Sequence, residues 1–86
     1  MHYVIAYDIT SDRRRRKVLS ALKDFGMPVQ YSIVECHLDA KRIAILRERV
    51  LALIDPRRDR VHFYALCDTC FYRAARFGPE KDAPVF

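Results

Sequence analysis

Asp8 follows five uncharged residues, Tyr3 to Tyr7, and a carboxylate placed there has two chemical uses. Its oxygens can accept backbone N–H bonds from the start of a helix a few residues on, near Ser11 and Asp12. They can instead ligate Mg²⁺, which takes carboxylate oxygen, keeps several waters and activates water toward a phosphodiester. One carboxylate per chain is thin for the second use. A twofold homodimer presents every local feature twice, so two Asp8 side chains near its axis would form the pair that a monomer lacks.

Five successive cations, Arg13, Arg14, Arg15, Arg16 and Lys17, come next. They stand at the positive end of a helix dipole, where acidic residues would be the stabilising choice. Free N–H groups at that helix end and guanidinium forks together make a receptor for phosphate oxygens close to Asp8. The plainer alternative is a solvated face, since consecutive helical residues point around the cylinder. Tyr31 and Ser32 interrupt an apolar strand, as a bend or as hydroxyl donors to phosphate. His2, His37 and His62 share no metal-ligand spacing, and Arg42, Arg47 and Arg49 read as ordinary charges on a helix's polar face. Cys67 and Cys70 form one Cys-x-x-Cys, for which zinc would need Cys36 and His37 to converge.

The elements that must position these residues follow from periodicity. His2 to Ile9 is apolar on both alternating faces, an interior strand. Val18, Leu19, Leu22 and Phe25 then fall at helical spacing after the turn and cap residues Thr10, Ser11 and Asp12, which predicts a helix over 12–25 closed by Gly26 and Pro28. Val29 to Leu38 reads as two short strands joined at a bend. Asp39 caps a second helix carrying Ile43, Leu46, Val50 and Leu53, which Asp55 and Pro56 end. Val61 to Cys67 is a fourth strand, with Arg57 to Arg60 a charged loop before it, and Phe71 to Phe77 a fifth. The predicted fold is α+β and ferredoxin-like: β-α-β-β-α-β with an extra C-terminal strand, an antiparallel sheet and two helices on one face. One domain spans 1–77, with an irregular tail over 77–86. The face without helices needs a cover, and a second copy of the chain is the simplest one.

Composition bounds the rest. The 86 residues build one small domain, of a size that often gains stability by oligomerising. A hydrophobic fraction of 51% excludes a disordered chain, and a net charge of +5 favours an anionic partner. No stretch has the length of a membrane span, the first residues lack the order of a secretion signal, and three cysteines fit no disulfide framework. A cytoplasmic protein with reduced thiols is the expectation.

The residues in order carry a resemblance: Tyr7-Asp8-Ile9, then Asp12 with the basic run to Lys17, Gly26, Val29 to Glu35, and Leu53-Ile54-Asp55-Pro56. From about His2 to Cys67 the chain resembles the small CRISPR-associated protein Cas-two. The resemblance implies a homodimer of the CRISPR adaptation machinery, a metal-dependent nuclease of RNA or DNA that partners the integrase Cas-one in capturing spacers. It implies that Asp8 is catalytic and binds the metal, that Arg13, Arg14 and Arg15 form the basic segment on the nucleic acid, and that Ser32 is the serine of a Gln-x-Ser motif. Relatives often carry Phe where this chain has Val34. A non-catalytic DNA-binding adaptor bridging integrase subunits is the alternative, and an RNA-recognition-type binder with an open sheet face is a third.

Overall fold

The structure, a computed structural model, describes residues 1–67, so the expected fifth strand, the tail and Cys70 lie outside the described residues. Six elements follow in order: β1 (His2–Asp8), α1 (Asp12–Lys23), β2 (Met27–Gln30), β3 (Ile33–His37), α2 (Ala40–Leu53) and β4 (Arg60–Leu66). The sheet is antiparallel with strand order β2-β3-β1-β4. With two helices in the connections, this is the ferredoxin-like arrangement read from the sequence.

β1 is central because it can bury one side completely. Tyr3, Ile5 and Tyr7 point toward the helices, and Ile5, fully buried, pairs with Val34 on one neighbour and Phe63 on the other. Val18 and Leu22 from α1 and Ile43, Leu46 and Val50 from α2 close the core from above. Both helices start on side-chain caps: Ser11 Oγ accepts the Arg14 N–H at 3.3 Å, and Asp39 Oδ1 accepts the Arg42 N–H at 2.8 Å. Arg47 lies over the Phe63 ring and Arg49 over Phe25, at 5.7 and 5.6 Å from the ring centres. These two arginines are therefore packed as well as charged.

Two boundaries depart from expectation for tertiary reasons. Pro28, expected to end helix one, lies within β2, paired with Val34. β2 is an edge strand, where a missing N–H costs no ladder bond. Helix one stops at Lys23, and the chain turns through Gly26, whose N–H donates to the Leu22 carbonyl at 2.9 Å. A Cβ on Gly26 would sit 2.3 Å from the Glu35 carbonyl oxygen, so only glycine lets β3 approach so closely.

The face away from the helices carries the apolar residues expected there but mixes them with polar ones. Val4, Ala6, Ile33 and Leu66 share it with His2, Glu35, His37, His62 and Tyr64, and Asp8 and Arg60 stand opposite each other at one end.

Candidate functional site

β1 ends with Tyr7 directed into the helix side and Asp8 onto the open face. Asp8 is exposed, and among the described residues its carboxylate holds no hydrogen bond or ion pair. The capping role open to it in the sequence belongs to Ser11, whose hydroxyl accepts from Arg14 and whose carbonyl accepts the Arg15 N–H at 2.8 Å. Asp8 instead lines a cleft of about 240 Å³ with Ala6, Arg60, His62 and Tyr64. Its nearest cross-strand neighbour is thus a cation, while the His62 ring stacks along Tyr64 with centroids 6.1 Å apart.

The arginine run divides by partner. Arg14 turns inward to Asp59, its Nε donating to Oδ2 at 2.7 Å and its Nη2 to Oδ1 at 3.1 Å. Asp59 is buried and also accepts from the Thr10 N–H at 3.1 Å, the Thr10 hydroxyl at 3.2 Å and the Asp55 N–H at 2.8 Å. The Arg14 hydrogen bond, helped by those two backbone amides, holds the Asp59 carboxyl well below the usual carboxylate range although burial opposes it. One carboxylate so ties the start of α1, the loop after α2 and the entry to β4. Arg15 is anchored through Nη1 to the Ile9 carbonyl at 3.1 Å and through Nη2 to Asp12. Arg13 and Arg16 are exposed and, among the described residues, hold no ion pair.

Asp59 was not singled out in the sequence, where it lies inside the charged loop Arg57 to Arg60. The usable signal is its spacing from Asp55, which lets the Asp55 carbonyl accept the Asp59 N–H at 2.8 Å while Asp59 accepts the Asp55 N–H. The Oδ2 that accepts the Asp55 N–H also accepts from Arg14 Nε, and Oδ1 takes Thr10 and Arg14 Nη2.

Ser32 occupies the turn between β2 and β3 with φ 64°, a left-handed conformation that costs a non-glycine residue about 1–2 kcal/mol. Its carbonyl accepts the Tyr7 N–H at 3.0 Å, which pins this turn to the strand that carries Asp8. Beside it a second cleft of about 320 Å³ opens between Arg15, Arg16 and Leu19 of α1 and the turn, with Tyr7 lining it too.

Cys36 belongs to the core and His37, next in the strand, to the open face. Burial pushes the Cys36 thiol up to about 11. Among the described residues no three His, Cys, Asp or Glu side chains converge, and no helix is long and apolar enough to cross a membrane.

Residues 1–74 match the model of the family described as CRISPR associated protein Cas2. The chain is 38% identical over 78 residues to a CRISPR-associated endoribonuclease Cas2 of Chloroflexus aurantiacus, covering 91% of this chain and 84% of that protein. It is 42% identical over 62 residues to a CRISPR-associated endonuclease Cas2 of Thermus thermophilus, covering 72% and 69%. The crystal structure of Streptococcus pyogenes Cas2 superposes with a TM-score of 0.81 at 26% identity, covering 91% of this chain and 100% of that one. The family match over most of the chain and the shared fold agree, and the chain belongs to the CRISPR associated protein Cas2 family.

Proposed function

We propose that this protein is a Mg²⁺-dependent endonuclease of CRISPR adaptation that hydrolyses phosphodiester bonds of RNA or DNA as a homodimer and acts with the integrase Cas-one. The observation that carries the reading is Asp8: an exposed carboxylate, without a partner among the described residues, in a cleft lined by Arg60 and His62. An unengaged carboxylate in a concave polar site fits a hydrated hard cation, which needs only one or two protein oxygens beside phosphate. When bound, such an ion lowers the pKa of water and neutralises charge on the phosphate. A second Asp8 from a twofold partner would complete the pair, and the helix-free face is where that partner fits.

The other residues bind and orient. Arg13, exposed at the start of α1, contacts backbone phosphate. Arg14 presents Nη1 while Asp59 holds its Nε and Nη2, so its main work is to fix the helix start. Arg15, steadied by the Ile9 carbonyl and Asp12, and Ser32 line the second cleft and donate to phosphate or sugar oxygens.

A second reading, a DNA-binding adaptor without turnover, is favoured by the exposed cations Arg13, Arg16 and Lys17 on one helix of a chain with net charge +5. Spacer acquisition in cells separates the two. Asp8→Asn abolishes acquisition if the nuclease is needed there, and unaltered acquisition assigns the cellular role to the adaptor.

A further inference from the structure

The second cleft carries more than cations. Among the described residues the side chains of Arg16, Gln30 and Ser32 and the hydroxyls of Tyr7 and Tyr31 have no hydrogen-bond partner, and all five residues line it. Between them lie the apolar surfaces of Leu19 and Pro28. Tyr31 is 82% exposed although aromatic, held out at the rim by the Ser32 turn that β1 pins. At about 320 Å³ the cleft lies near the lower end of the range, roughly 300–1,000 Å³, of small-molecule sites.

A phosphate alone needs donors and no apolar wall. A planar heterocycle needs what is present: an aromatic face to stack on, aliphatic surface beneath, an amide offering both donor and acceptor to a base edge, and a cation for the attached phosphate. Bases within a duplex have both faces stacked and both edges occupied or in a groove, so only an unpaired base can enter. We infer that this cleft binds one unpaired nucleobase of a single strand, stacked on Tyr31 and hydrogen-bonded by Gln30, with its phosphate on Arg16. The inference rests on the nucleic-acid reading above and names its substrate class. Tyr7 lines both this cleft and the one that holds Asp8.

The test is equilibrium binding of the full chain in EDTA, where cleavage is off, to a fluorescein-labelled single strand and to a blunt duplex of equal length. Loss of one stacking aromatic weakens single-strand binding by about 5- to 150-fold. Tyr31→Ala is expected to lose that much on the single strand and to change the duplex by less than about twofold, while Tyr31→Phe keeps most of the affinity. A strand carrying 2-aminopurine should be quenched by the parent chain and not by Tyr31→Ala. Equal losses on both ligands, or none on either, overturn the base cleft while leaving the nucleic-acid reading standing. If the parent binds neither ligand, both fail.

Discussion

The decisive residue-scale contrast is between two aspartates, one engaged on every side and one engaged by nothing described. Asp59 spends its two oxygens on Arg14, Thr10 and Asp55, whereas Asp8 spends none among the described residues. Because the folded Asp59 pKa is depressed, its contribution to stability is full above the unfolded value near 4 and is lost as pH falls toward the folded value. The parent should therefore lose Tm steeply between about pH 5 and pH 2, and Asp59→Asn should lose less across that window. At neutral pH the variant, presenting an amide N–H₂ to donors and leaving Arg14 without its counter-charge, should melt about 10 °C lower. A thermal melt that matches the parent's at both ends of that range would remove Asp59 from its central place. Asp8 was legible in the sequence because a charge after an apolar strand is conspicuous. Asp59 was not, because a carboxylate among Arg57, Arg58 and Arg60 resembles a solvated loop and its partner lies 45 residues away.

Element order was readable because period-2 and period-3.6 patterns are local, and the Asp39 cap and the Ile43, Leu46, Val50 stripe are local too. What depended on neighbours was not. Pro28 is admissible in β2 because that strand ended up at the sheet edge, and Ser32, at a positive φ, sits in a turn whose carbonyl the Tyr7 N–H holds. Gly26 read as a helix stop, yet its closer constraint is the backbone of β3. Gly26→Ala forces a Cβ onto the Glu35 carbonyl, where the sheet cannot yield as a flexible side chain would. The expected cost is about 1–3 kcal/mol, seen in denaturant unfolding as a lower midpoint at unchanged slope. An unchanged midpoint would mean that β2 and β3 separate freely at this point.

At the scale of the whole molecule, the sheet has one side on which the described residues place no helix, and that side holds Asp8 at its end and Ala6 beside it. If two copies meet there, light scattering should give a mass twice the 10.1 kDa of the chain. Ala6→Arg, which sets a charge in the middle of the joined faces, should then give the monomer and lose cleavage together. A monomeric parent that still cleaves would separate the chemistry from the dimer. The mixed polarity of this face was the hardest feature to read, since register decides which residue of each strand faces out. The Asp8 reading meets its most direct test in Mg²⁺-dependent cleavage of matched RNA and DNA strands by purified parent and Asp8→Asn. Cleavage by the parent that chelation abolishes and that the variant lacks by at least about 100-fold is the predicted result, and equal rates in parent and variant would contradict it.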